Sequence, residues 1–416
     1  MARMRAQGFL GIIVFLAIAW LISEKRKLVR PATIIAGVVL QFAIAFVLLK
    51  VPFFQRFFLL LNNVVLALDT ATKAGTSFVF GYVGGGPTPF MVTDPGSNFS
   101  FAFQSLPLVL VIGALSSLLF YWKVLPVVVQ FLSMILRKTL NIGGALGLGA
   151  STTIFLGLVE APLVIKPYLK KMTRSELFSL MTVGMACVAG TMMIIYATVL
   201  NGIVPNPLGH ILVASFIHVA AAITIARVIV PETEEETAGS LIPHRSSTSS
   251  MDAIVKGTMD GLTLLLNIIV MLIVIVALVQ LVNVILGVFP NFLGQPLTLQ
   301  RILGFIMAPI VWLFGIPWAQ AQTAGSLMGT KTILNEFLAF LELAKLPADA
   351  LDPRSRLIMT YALTSFANLG SLGILIGGLG SLAPERRDEV VSMGMNAVVA
   401  GTLATCMTGA VIGILV

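Results

Sequence analysis

Two glutamates stand where a carboxylate is costly to keep. Glu160 lies in "FLGLVEAPLVIKP" (155–167), with no basic residue in the ten positions before it and Pro162 and Pro167 close behind. Glu336 lies in "GIPWAQAQTAGSLMGTKTILNEFLAF" (315–340), five residues after Lys331 and directly after Asn335. A third polar group, "SFANLGSLGILIGGLG" (365–380), sets Asn368 and Ser371 three residues apart beside Phe366, which on a helix is one shared face. Carboxylates accept hydrogen bonds from hydroxyls, an amide both donates and accepts, and an aromatic ring packs against a planar one. That set suits reversible binding of a neutral polar solute. Nucleoside, sugar and amino acid stay equally open on these residues alone. Each group also has a plainer reading. Glu160 can cap a broken helix, Lys331 can hold Glu336 in an ion pair, and the Asn368 cluster can serve helix packing.

Bond-making chemistry finds less support. "GLGSLAPERR" lacks the Lys-Ser/Thr pair of an ATP-binding loop. His210, His218 and His244 do not cluster as metal ligands, and Cys187 and Cys406 both sit in apolar runs, which argues against zinc or a structural disulfide. A Glu160–Glu336 acid–base pair is the enzymatic alternative, but no lipid-phosphate motif accompanies it. A gradient-driven carrier is favoured over a pump, with no cofactor and no enzymatic role expected.

The elements that must hold these groups are membrane helices. Of the 416 residues 57% are hydrophobic and only 11% charged, against about a quarter charged in soluble domains. Residues 6–23, 31–49, 95–122, 177–226, 261–300, 302–330, 357–384 and 390–416 each run without Asp, Glu, Lys or Arg. A spanning helix needs roughly 20 residues, so the fold class is an all-α polytopic membrane protein. The runs do not alternate as barrel strands do. The net charge of +8 sits mostly between apolar runs, where topology explains it, and no nucleic-acid site is expected.

Along the chain, residues 1–22 resemble a signal peptide but lack a cleavage site, so they are read as a retained first helix. "EKRKLVR" then places its loop in the cytoplasm and the N-terminus outside. Residues 1–70 form N-terminal scaffold helices, with "FFQRFFLLLNNVVLALD" left unassigned. Residues 71–230 form a first half with a re-entrant hairpin at about 142–175, where glycines and prolines interrupt helix. Such breaks are tolerated only inside protein or beside a watery cavity. "VVVQFLSMILRKTL" reads as an amphipathic interfacial helix. Residues 231–252 form a polar cytoplasmic loop whose "ETEEE" is read as solvated charge. Residues 253–416 form a second half with a re-entrant region at about 301–345 and C-terminal helices near 356–380 and 390–416. Paired interrupted segments are the mark of an inverted-repeat transport core.

These pieces resemble the concentrative nucleoside transporter family. The likeness covers essentially the whole chain through "GTSFVFG" (75–81), "FAFQSLP" (101–107), "FLGLVEAPLVIKPYLKKMTRSELF" (155–178), "PETE" (231–234), "TKTILNEF" (330–337), "FANLGS" (366–371) and "GSLAPERR" (380–387). The resemblance implies a homotrimer in the bacterial cytoplasmic (inner) membrane. Each subunit would have eight transmembrane helices, two re-entrant hairpins and interfacial helices, and would carry nucleosides inward with sodium or protons by an elevator-like movement. It further implies that Glu160 helps hold the base, that Glu336, Asn368 and Ser371 hold ribose hydroxyls, and that Phe366 lines the ring region.

Two departures from the family pattern stand out. The common Gly-Gln-Thr-Glu hairpin motif reads here Gly157-Leu158-Val159-Glu160, so two base-facing polar groups become apolar. Sodium-coupled relatives have Asn where this chain has Thr153, and Ser where it has Cys187, with backbone carbonyls of Leu156 and Val188 completing the ion site. Sulfur is a poor sodium ligand. Burial favours the neutral form of a carboxyl group, so Glu160 can serve as proton carrier. The reading leans to proton coupling, with sodium coupling and a channel or facilitator as alternatives.

Overall fold

The structure is a computed structural model and describes residues 2–91, 100–158, 160–239, 247–291 and 294–416. α1 (Ala2–Leu21) and α2 (Pro31–Lys50) flank the basic loop. Pro31 opens α2 at a position where a missing N–H costs little. α3 (Pro52–Phe80) is one continuous 29-residue helix through the stretch that sequence reading left unassigned. Its polar residues interrupt the apolar run but not the helix, and Asp69 is met one turn on by Lys73 at 2.7 Å. A π-turn at Phe101–Ser105 leads into α4 (Leu108–Tyr121), and α5 (Val124–Leu140) is the expected amphipathic helix.

The region around Glu160 folds as α6 (Gly144–Leu156), α7 (Glu160–Val164) and α8 (Lys166–Leu169). α9 (Arg174–Ala186) starts from a reciprocal cap between Thr173 and Glu176. It stops at Cys187, and α10 (Gly190–Val199) resumes three residues later. α11 (Pro207–Ile229) closes the first half.

The second half repeats this order. A long helix, α12 (Ser250–Leu286), is followed by the amphipathic α13 (Leu299–Trp312). α14 (Trp318–Ile333) breaks before α15 (Glu336–Lys345). α16 (Pro353–Leu363) breaks before α17 (Leu369–Leu382), and α18 (Arg387–Leu415) completes the chain. The helix read as continuous over 356–380 is therefore two short helices. Its break, Thr364–Asn368, matches Cys187–Ala189 between α9 and α10.

Among the described residues eight helical stretches are long and apolar enough to cross a membrane, and the chain is an all-α, multi-pass membrane protein. α11 is buried along nearly its whole length, and the C-terminal half of α18 is buried with it. α12 instead exposes Val270, Ile273 and Val276. Large apolar side chains facing outward along a whole helix belong against lipid. The polar loop after α11 is partly tethered. Arg227, with a side chain 7% exposed, pairs with Glu232 at 3.0 Å and Glu236 at 2.8 Å, and Glu176 accepts from the Thr237 amide at 3.0 Å. Those two acids of the "ETEEE" run are thus ion-paired rather than solvated.

Candidate functional site

Both interrupted regions break just before a glutamate, with different backbone geometry at the break. α6 ends at Gly157, whose φ of +90° is open to glycine and strained for other residues, and Glu160 is the first residue of α7. α14 ends at Leu334, and Glu336 is the first residue of α15. Asn335 caps that helix, its Oδ1 accepting from the Leu338 amide at 2.8 Å. Asn368 does the same for α17, its Oδ1 accepting from the Ser371 amide at 2.8 Å. Asn368 and Ser371 are therefore joined as cap and third residue, not as neighbours on one helix face.

This cap fixes the chemistry of Glu336. With Oδ1 held by Ser371, the Asn368 Nδ2 points outward and donates to Glu336 Oε2 at 2.8 Å. The Tyr196 hydroxyl donates to Glu336 Oε1 at 2.6 Å. Tyr196 is itself locked by stacking on Phe340, with ring centroids 4.7 Å apart. The start of α15 adds the positive end of a helix dipole, which favours a carboxylate. Lys331 makes no ion pair with Glu336 among the described residues. It is fully buried one turn before the break and donates to Thr405 Oγ1 at 3.4 Å.

These groups line a cavity of about 240 Å³. Its polar wall is Glu336, Asn368 and Ser371, joined by Asn335, Thr191 and Asn267. Leu158, Met192, Ile268, Leu272, Phe366 and Ile374 form the apolar wall. The starts of α10, α15 and α17 all border this space, through Ala189, Asn335 and Asn368. The structure thus brings together Leu158, Glu336, Phe366, Asn368 and Ser371 of the expected binding set. Val159 lies outside the described residues, and of Glu160 only the backbone is described. Tyr196, Thr191 and Asn267 were missed by sequence reasoning.

The expected ion-coupling residues lie beside the cavity. Thr153 is buried, and its hydroxyl donates to the Gly149 carbonyl at 2.8 Å. Cys187 is fully buried, with its thiol 3.8 Å from the Ser215 carbonyl. The Cys187 carbonyl accepts from the Phe366 amide at 3.3 Å, which ties the two broken helices together through their backbones. Leu156 ends α6 and Val188 lies in the break between α9 and α10. Gly190 brings that break against the first hairpin, since a Cβ there would lie 2.8 Å from the Phe155 carbonyl oxygen. His218 is fully buried and faces the backbone of Ala186, Tyr361 and Thr364, at the ends of the two broken helices.

Comparison with known families matches residues 10–83 and 210–413 to the N- and C-terminal parts of the "Na+ dependent nucleoside transporter" family and residues 102–202 to "Nucleoside recognition". The Helicobacter pylori nucleoside permease NupC is 35% identical over 98% of this chain and 96% of its own. An uncharacterized transporter of Bacillus subtilis, YutK, is 36% identical over 98% and 99%. Human solute carrier family 28 member 3 is 32% identical over 98% of this chain but 59% of the human protein. The solved structure of CNTnw in an inward-facing substrate-bound state is 33% identical and superposes with a TM-score of 0.90 over 99% of this chain and 97% of that one.

Proposed function

The chain belongs to the concentrative nucleoside transporter family, and from that premise we propose that it imports nucleosides across a bacterial inner membrane, driven by protons. The observation that carries this reading is the Glu336 carboxylate, held by Tyr196 and Asn368 at the mouth of α15 and α17. It presents charged acceptor capacity on the polar wall of a cavity whose other wall is apolar. Vicinal ribose hydroxyls are donors and acceptors at once, and they match a carboxylate flanked by an amide and a hydroxyl. The apolar wall suits the flat faces of a base. Glu336, Asn368 and Ser371 then hold the sugar, Phe366 packs beside the ring, and Leu158, Val159 and Glu160 flank the base.

Proton coupling is favoured by what has become of the ion site. Sodium asks for oxygen ligands, whereas Cys187 offers sulfur and the Thr153 hydroxyl is turned into its own helix. Glu160 is the proton carrier in this reading. Sodium coupling is the second reading, favoured by the printed description of the matching family. Alternating access follows an elevator-like course, with α6–α8, α14–α15 and the two broken helices moving against α1–α4 and α12, in a homotrimer whose N-termini lie outside.

The test is uptake of labelled nucleoside into proteoliposomes under separate proton and sodium gradients. Concentrative uptake is expected under an inward proton gradient without sodium. Uptake that needs sodium and ignores the proton gradient refutes proton coupling. Linear, non-saturable flux unaffected by nucleoside on the far side refutes the carrier altogether.

A further inference from the structure

α12 carries the polar side chain that the function described so far leaves unused. Between Gly261 and Val279 this helix is apolar except for Thr263 and Asn267. The Thr263 hydroxyl is satisfied by the Met259 carbonyl at 3.1 Å. Asn267 makes no hydrogen bond among the described residues, although it sits near the midpoint of the 37-residue helix, and it is exposed like its neighbours Leu266 and Val270. An unpartnered carboxamide at mid-membrane depth is costly in hydrocarbon. Polar groups at that depth face cavities and carry function. Asn267 meets that expectation, since it lines the cavity together with Leu264, Ile268 and Leu272 of its own helix.

The polar side chains of the cavity can be assigned one by one. Asn335 has its side-chain oxygen committed to its cap. Glu336, Asn368 and Ser371 form one connected cluster, already matched to the sugar. Beside Glu160, already set against the base, and the Asn335 amide nitrogen, Thr191 and Asn267 are the polar side chains left to meet the hydrogen-bonding edge of a base, because Leu158 offers none. Only Asn267 presents a donor and an acceptor on adjacent atoms.

We propose that Asn267 reads the nucleobase, taking over from the apolar hairpin the hydrogen bonds that select among bases. This rests on the reading of the cavity as a nucleoside site. A carboxamide turns either way, so it pairs with the amino–imine edge of cytosine or adenine and with the imide edge of uracil or hypoxanthine. A carboxylate in its place only accepts. It therefore keeps bases that offer an exocyclic amine and rejects those that turn a carbonyl toward it.

The experiment compares the wild type with Asn267→Asp and Asn267→Leu in proteoliposomes, measuring kcat/KM for cytidine, uridine, adenosine and inosine. Asn267→Asp is expected to shift the cytidine-to-uridine and adenosine-to-inosine ratios roughly tenfold toward the amino bases, the scale of one base-edge contact. Asn267→Leu fits the apolar helix. It is expected to fold and to compress whatever differences the wild type shows between bases. Unchanged ratios in both variants, with wild-type uptake intact, overturn the assignment of Asn267. So does a loss of thermal stability in Asn267→Leu with ratios unchanged, which marks a packing role. Absence of saturable uptake of any nucleoside by the wild type fails the proposed function instead, and the two failures are read from different proteins.

Discussion

Replacing Glu336 by Gln separates a binding role from a structural one. The substitution keeps the shape, and the surrounding bonds show how it can be absorbed. Asn368 can only donate toward residue 336, because its oxygen is held by Ser371, so the new carbonyl turns to it. The new amide then faces the Tyr196 hydroxyl, which rotates to accept. Both contacts survive as neutral hydrogen bonds, and the fold is expected to lose little stability. A sugar hydroxyl, in contrast, loses a charged acceptor. A hydrogen bond to a charged group contributes about 1.5–3 kcal/mol, and a decade of affinity corresponds to about 1.4 kcal/mol. KM for a ribonucleoside is therefore expected to rise roughly 10- to 150-fold. The assay is uptake kinetics in proteoliposomes, with the 2′,3′-dideoxynucleoside as reference and the melting midpoint of the purified protein as control. The dideoxy compound lacks the 2′ and 3′ hydroxyls assigned to Glu336 and is expected to change by under threefold. An equal loss for both compounds, or an unchanged KM for the ribonucleoside, refutes the assignment of Glu336 to the sugar.

Three further outcomes are expected. Gly190→Ala places a methyl 2.8 Å from the Phe155 carbonyl oxygen, an overpacking that costs about 1–3 kcal/mol, and it should lower the melting midpoint and transport together. Gly373→Ala meets nothing within 4 Å in α17 and should instead stabilise by about 0.5–1 kcal/mol. Arg227→Met leaves Glu232 and Glu236 without their shared partner and should destabilise by about 3 kcal/mol, the scale of a broken buried ion pair. Urea or thermal melts in detergent check all three values.

What the sequence revealed follows the energetics of the bilayer. Glu336 and Asn368 stood out because polar groups in an apolar run are conspicuous, and Gly157, Pro162 and Pro167 marked the first hairpin through backbone chemistry. The break at Cys187–Ala189 carried no such mark. No proline lies near it, and the cost of its open backbone is met by a contact from Phe366, far along the chain. The break at Thr364–Asn368 was half legible, since Asn368 followed by Ser371 at the third position is also an N-cap pattern. Read as two points on one helix face, it hid the break. Tyr196 gave no signal, because its partner is 140 residues away and its neighbours are those of any membrane helix. Asn267 was visible as a polar residue in α12, but only the fold shows which side of that helix meets the cavity.

The two glutamates stand at comparable places in the chain but in different local surroundings. Each is the first residue of the second arm of its interrupted region. At Glu336 the start of α15 offers first-turn N–H groups and the positive end of a helix dipole, whereas behind Glu160 the Ala161 amide is already bonded to the Gly157 carbonyl at 3.3 Å and Pro162 has no N–H. The Glu336 carboxylate is held by Tyr196, Asn368 and the helix terminus with no direct ion pair among the described residues, Lys331 acting on it only at a distance. A cation would neutralise the carboxylate and occupy its lone pairs. Amide, phenol and helix terminus leave some of its acceptor capacity open to a hydroxyl that arrives and leaves. Reversible binding depends on that openness, and Lys331, turned instead to Thr405, leaves it intact.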